Sequence, residues 1–184
     1  MSACPPDLQR RQLPLYLGLY VLSASALYAL TASVNAPVYA WLTHAALALG
    51  CFLSYRGAPT KRLYLLPGVL PMVLGFTAYG LRQVALPGAD LLYPPEIISQ
   101  NDLALGALVA WFMIGFSFWQ ASRPNLVFLV ACGLALFGLV GTINLNTQTW
   151  VCFSFFVFGT VFCWGYEQFL DQDDRLARAG QSRY

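Results

Sequence analysis

Charge is scarce in this chain: of its 184 residues, 10% are Asp, Glu, Lys or Arg, whereas 58% are hydrophobic. A water-soluble domain draws about a quarter of its residues from those four charged types. The deficit excludes a soluble globule with an ordinary charged surface, and the apolar content excludes intrinsic disorder. A net charge of +2 is too small to indicate nucleic-acid binding. The composition therefore indicates an integral membrane protein.

The residues of polar chemistry are equally scarce. The chain has one histidine, and its five cysteines include no CxxC pair. Four of those cysteines lie in apolar runs, where a thiol behaves as a small hydrophobic group. These absences exclude a disulfide framework and a haem held by two histidines of one chain, and they predict a protein that is not an enzyme. No ionisable residue lies near the centre of an apolar run, which argues against a proton or ion pump.

Long apolar runs are what the chain has in abundance. A helix needs roughly 20 apolar residues to cross the hydrocarbon core of a membrane. Six charge-poor runs of about that length occur, at 13–33, 37–54, 63–81, 103–120, 126–145 and 150–170. The predicted fold is all-α, a polytopic membrane bundle of about six transmembrane helices. The predicted organisation is an N-terminal cytoplasmic segment (1–12), the bundle (13–170) with one longer outer loop (82–102), and a charged cytoplasmic tail (171–184).

The positions of the basic residues provide a separate test of this topology, because cytoplasmic flanks of membrane helices are enriched in Lys and Arg. If the N-terminus lies in the cytoplasm, nine of the ten basic residues fall on that side and Arg82 alone falls outside. The predicted cytoplasmic residues are Arg10, Arg11, Arg56, Lys61, Arg62, Arg123, Arg175, Arg178 and Arg183. The distribution predicts that both termini are cytoplasmic. In the tail, Asp171 and Arg175 have the i,i+4 spacing of a helical ion pair, although a solvated end is the favoured interpretation.

Small residues recur at four-residue spacing within the runs, which lets helix backbones approach closely in lipid. The pairs are Ser25 and Ala29, Ala46 and Gly50, Gly106 and Ala110, and Gly138 and Thr142. They predict helix packing, either within the chain or against a partner. In the third run, Pro67 and Pro71 predict a helix kink, and the alternative is a broken helix that lines a substrate site.

His44 is the one candidate ligand in the apolar runs, about a third of the way along the second. A neutral imidazole there is able to ligate the metal of a pigment or haem. The other interpretation is a hydrogen bond to a neighbouring helix. Tyr28 and Trp111 also lie at depth, where packing in the interior is expected. The sequence requires no cofactor, and bound lipid, quinone or pigment remains an open alternative.

From Leu103 onward the chain carries an apolar segment with a central Trp (ALGALVAWFMIGFSFW), an Arg-containing turn (ASRPN) and a charged end (YEQFLDQDDRLARAG). With Trp111, Trp119 and Arg123 as its distinctive elements, this pattern resembles the N-terminal membrane region of bacterial transglutaminase-like proteins of the TgpA type. The resemblance implies a membrane anchor for a Cys-His-Asp catalytic domain outside the cytoplasm. No position of this chain matches those catalytic residues, so an enzyme is implied only for a longer gene product.

Three functional hypotheses follow. The first is a non-catalytic accessory, scaffold or assembly subunit of a larger membrane complex, because the chain combines little polar chemistry with small-residue helix faces. The second is a module that binds lipid, quinone or pigment near His44 and the third run. The third is the anchor of a transglutaminase-like enzyme. The expected partners are other integral membrane subunits and lipids, in a bacterial inner membrane or a membrane derived from it.

Overall fold

The computed structural model describes residues 6–33, 36–56, 65–80, 101–118, 126–143 and 146–181, and 96% of them are helical. No strand occurs among them, so the predicted all-α class is confirmed. The helices in chain order are α1 (Pro6–Ala32), α2 (Pro37–Tyr55), α3 (Leu65–Gly80), α4 (Asn101–Ser117), α5 (Leu126–Ile143) and α6 (Thr147–Gln181). Each of the six apolar runs is occupied by one helix.

Three helices are long and apolar enough to cross a membrane, and these segments support membrane association. They are Gln12–Ala32 in α1, Pro37–Tyr55 in α2 and Thr147–Asp173 in α6. The apolar parts of α4 and α5, Asp102–Ser117 and Leu126–Thr142, are shorter. At 1.5 Å per residue they extend about 25 Å, less than the roughly 30 Å of a hydrocarbon core. The described residues therefore contain three helices of spanning length, and a count of six spans stays a prediction.

The helix ends differ from the predicted boundaries at three places. α1 begins at Pro6, within the predicted cytoplasmic segment, since proline is well tolerated in the first turn of a helix. α4 begins at Asn101, so Asp102 belongs to a first helical turn, where a carboxylate is favourable, and not to the outer loop. α6 continues to Gln181 with no proline to end it, so the described part of the predicted tail is helical. The rest of the predicted outer loop lies outside the described residues.

α1 is the central helix of the bundle. It packs against α2, α4, α5 and α6, with its most extensive interface on α6. Its leucines at four inward positions have no exposed surface; they are Leu19, Leu22, Leu27 and Leu30. Its contact with α6 is antiparallel, because the Cys163 thiol lies 3.8 Å from the carbonyl oxygen of Leu15 while Gly159 lies against Leu22. The apolar side chains of α1 therefore form the centre of the core.

Consecutive helices pack against each other for α1 with α2, α3 with α4, α4 with α5, and α5 with α6. The exception is α2 with α3, because α3 shares at most isolated contacts with described helices other than α4. Trp111 explains this arrangement. Its ring meets that of Tyr39 on α2 edge to face, with centroids 6.4 Å apart, and its Cβ lies against Gly75 on α3. The tryptophan therefore holds α2 and α3 on two sides of α4.

Candidate functional site

His44 lies on α2 with its imidazole held by the helix itself. Nδ1 is 2.8 Å from the carbonyl oxygen of Ala40, one turn earlier. A carbonyl oxygen only accepts, so Nδ1 must carry the proton and donate it. In the neutral ring the other nitrogen, Nε2, is then a lone-pair acceptor. The predicted interhelical hydrogen bond of His44 is absent among the described residues, because the ring bonds within its own helix.

His44 is half-buried and has an aromatic neighbour on α1. The Tyr28 ring on α1 meets the imidazole edge to face, with centroids 6.3 Å apart. Tyr28 is 51% exposed, so its predicted packing in the interior is wrong, whereas Trp111 is 4% exposed as expected. Trp41, one turn before His44, is 79% exposed. His44 therefore lies half-buried on the α1 and α2 pair, beside the exposed Tyr28 ring.

The prolines of the third run both lie in α3. Pro71 is inside the helix and half-buried, and Pro67 is in the first turn, where the structure describes its backbone only. A proline at position 71 has no N–H for the hydrogen bond to the carbonyl of residue 67. α3 nevertheless continues unbroken from Leu65 to Gly80. Gly75, one turn after Pro71, lies against Trp111 of α4. The continuous helix favours the packed interpretation over a broken, substrate-lining one.

Most of the predicted small-residue positions lie inside the bundle. Ala29 and Ala110 are buried, and the Ser25 hydroxyl donates to the carbonyl of Leu22 in its own helix. A side chain at Gly50 would collide with the Ser117 hydroxyl, and one at Gly106 would press on Leu30 of α1. Ala46 is half-buried. These positions allow α1, α2 and α4 to approach closely.

The fourth pair is different, because Gly138 and Thr142 are exposed on α5. No heavy atom lies within 4 Å of the position that a Cβ of Gly138 would occupy. Thr142 donates its hydroxyl to the carbonyl of Leu139, so the side chain needs no other partner. Ala131 and Ala135, at helical spacing before Gly138, are exposed as well. α5 thus carries an outward face of small residues, defined by these four positions and called here the small-residue face.

The predicted topology residues are described only in part. Arg56 follows the last turn of α2, with its guanidinium 4.6 Å from the centroid of the Phe52 ring. Arg175 pairs with Asp171 at 2.8 Å, as the i,i+4 spacing predicts, and both side chains are well exposed. α1 contains Arg10 and Arg11, and α6 contains Arg178; the structure describes the backbone of these three residues only. Lys61, Arg62 and Arg123 lie outside the described residues.

Ser54 and Ser117 form an interhelical contact that the small-residue spacing did not predict. The Ser54 hydroxyl on α2 donates to the carbonyl oxygen of Ser117 at 2.6 Å. Ser117 is the last residue of α4, where backbone carbonyls have no partner within the helix. The sequence signal was a serine placed at the end of each of two apolar runs.

Within the described ranges, no three His, Cys, Asp or Glu side chains come together in a way that would hold a metal ion. Comparison with known proteins adds no family: no protein-family model, no curated protein and no solved structure matches this chain. The resemblance to transglutaminase-like membrane regions accordingly stays a prediction.

Proposed function

We propose that this chain is a six-span inner-membrane protein of bacteria, with both termini cytoplasmic, that acts as a non-catalytic subunit of a larger membrane complex. The small-residue face of α5 carries this proposal. It is the surface on which the proposed partner, another integral membrane subunit, would pack.

The physical argument concerns how helices associate in lipid. Lipid tails are as apolar as leucine, so association depends on van der Waals packing and close backbone approach. A face that combines Ala131, Ala135, Gly138 and Thr142 presents backbone at its surface and little side-chain volume. Such a face gains more van der Waals contact from a complementary helix than from disordered acyl chains. Its polar hydroxyl is already bonded within α5, so docking would leave no unsatisfied group.

The outer face of α6 offers an instructive contrast. Its exposed side chains are large and apolar, among them Phe155, Phe158 and Val161. Large side chains of this kind fill the space between acyl chains and keep helix backbones apart. The surface of the bundle is therefore not uniform, and α5 carries the part best suited to a protein neighbour.

Contacts at one end of the bundle support the proposed topology. Tyr16 of α1 meets Tyr55 of α2 edge to face, and Leu15 lies against Cys163 of α6. The bond from Ser54 to Ser117 brings the end of α4 to the same level. The C-terminal ends of α2 and α4 therefore lie at the level of the N-terminal part of α1, an arrangement compatible with the count of cytoplasmic charges.

The test is purification from native membranes in a gentle detergent, followed by native mass determination. We expect the wild-type chain in an assembly larger than a monomer, with one or more membrane proteins in fixed stoichiometry. Gly138→Leu should release the chain from that assembly, because the added side chain separates the backbones that pack there.

Gly165→Leu is the matched control, since Gly165 on α6 also has nothing within 4 Å of its Cβ position. It makes the same change of volume on an open surface outside the small-residue face. A wild-type chain that is only a monodisperse monomer would overturn the proposal. So would equal retention of partners by the two variants.

A further inference from the structure

The unused acceptor of His44 is the starting point for a second site. Nδ1–H is donated to the Ala40 carbonyl oxygen, and Nε2 has no hydrogen-bond partner among the described residues. His44 is half-buried, so part of its side chain lies at the surface of the bundle. An imidazole that donates one nitrogen to a backbone carbonyl has the arrangement that orients metal-ligating histidines.

The depth of His44 makes an unpaired acceptor costly. α2 begins at Pro37, so His44 lies about 10 Å along its axis, within the hydrocarbon layer if α2 spans the membrane. Water is scarce there. Burying a polar group without a hydrogen-bond partner costs about 1–3 kcal/mol in proteins and several kcal/mol in pure hydrocarbon. A ligand that accepts the Nε2 lone pair would remove this cost.

The ligand class follows from the number of donors available. One imidazole cannot hold a bare metal ion, and no second His, Cys, Asp or Glu set stands near it among the described residues. A metal already bound by the four nitrogens of a tetrapyrrole needs a single axial ligand. The ring faces of such a macrocycle are flat and apolar, and the next small residues of α2 are exposed Ala45 and half-buried Ala48. The exposed Tyr28 ring meets the imidazole, and Trp41, one turn earlier on α2, is also exposed.

We infer that His44 is the single axial ligand of a metal tetrapyrrole that lies against the lipid-facing surface of α1 and α2. Nε2 donates its lone pair to the vacant axial position of the metal, and no other bond is made or broken. Tyr28 and Trp41 flank the macrocycle edge. This site is separate from the small-residue face of α5, so neither proposal depends on the other.

The experiment uses zinc protoporphyrin, which takes one axial ligand, added to the full-length purified chain in lipid nanodiscs. We expect saturable one-to-one binding with the red shift of the Soret band that axial imidazole produces. Empty nanodiscs measure partition of the porphyrin into lipid, which gives no such shift.

His44→Leu should remove the shift and weaken saturable binding at least about tenfold, which corresponds to 1.4 kcal/mol. His44→Gly should lose the shift, and imidazole in the buffer should restore saturable one-to-one binding beyond that of empty nanodiscs with the same imidazole. This rescue also keeps the test valid if the leucine variant does not fold. Tyr28→Leu should weaken binding while the shift at saturation is kept. A wild-type chain that gives no shift, or a His44→Gly variant that imidazole fails to rescue, would refute the assignment.

Discussion

At the residue scale, two glycines of α5 show that identical residues have opposite roles on opposite faces. A Cβ at Gly133 would collide with the ring of Phe156, whereas a Cβ at Gly138 would meet nothing. Phe156 is almost fully buried and packs against Phe137 and Phe153, so its ring has little room to move. Close packing, not backbone freedom, is what requires glycine at position 133.

Gly133→Ala should therefore destabilise the folded chain, by about 1–3 kcal/mol, which is typical of overpacking in a well-packed interior. Gly138→Ala should leave the stability of the isolated chain unchanged or slightly raised, since alanine favours helix and the site is open. Thermal unfolding in detergent, followed by circular dichroism, measures both variants. Equal midpoints for the two would show that α5 and α6 do not pack as described.

The hydrogen bond between Ser54 and Ser117 supports a second prediction at this scale. Ser54→Ala leaves a carbonyl at the end of α4 without its donor, and we expect a loss of about 0.5–1.5 kcal/mol. Ser154→Ala is the control, because the Ser154 hydroxyl is exposed and donates only to Trp150 of its own helix. Denaturant titration of both variants should separate them; a Ser54→Ala variant as stable as Ser154→Ala would count against the interhelical bond.

At the element scale, the apolar runs were enough to predict where helices lie, because hydrocarbon tolerates no unpaired backbone groups. They were not enough to predict which helices touch. All runs are apolar on every side, so no amphipathic stripe marks an inward face. The outward position of Tyr28 and the attachment of α3 to α4 through Trp111 depend on packing between distant segments, which spacing along one helix does not encode.

The same limit applies to the candidate site. A lone imidazole at depth identified His44, but the bond from Nδ1 to Ala40 depends on the side-chain rotamer, which sequence does not specify. The pairs of small residues were found from their spacing alone. Which of them is buried and which is exposed was decided by the position of each helix in the bundle.

Neighbours also determine how firmly each helix is held. α1 is covered by α2, α4, α5 and α6, while α3 packs against α4. Local opening requires breaking fewer contacts for α3, so its amides should exchange hydrogen at least about tenfold faster than those of α1, an opening free energy lower by about 1.4 kcal/mol. Hydrogen exchange with mass spectrometry, on peptides 65–80 and 15–30, measures this. Comparable protection of the two helices would contradict the marginal position of α3.

At the scale of the whole molecule, the few charges limit both topology and chemistry. Nine of ten basic residues are expected on one side of the membrane. Helix contacts place the C-terminal end of α2 and the Cys163 turn of α6 beside the N-terminal part of α1. A bundle with this distribution has one favourable orientation, since each basic residue resists transfer across the hydrocarbon core.

α6 provides the sharpest test of that orientation, because it is a single helix with exposed glutamines at either end of its apolar span. Gln148 lies in its first turn, and Gln172 lies at the other end of the Thr147–Asp173 segment, beside Asp171. In a Cys4→Ser background, Gln172→Cys should react with a membrane-impermeant maleimide only in inside-out vesicles, and Gln148→Cys only in right-side-out ones. The four described native cysteines are buried or half-buried within the helices and should stay unlabelled in both. Labelling of both introduced cysteines from one side would show that α6 does not cross the membrane, whereas the reverse pattern would place the basic residues outside and refute the cytoplasmic assignment of the C-terminal end.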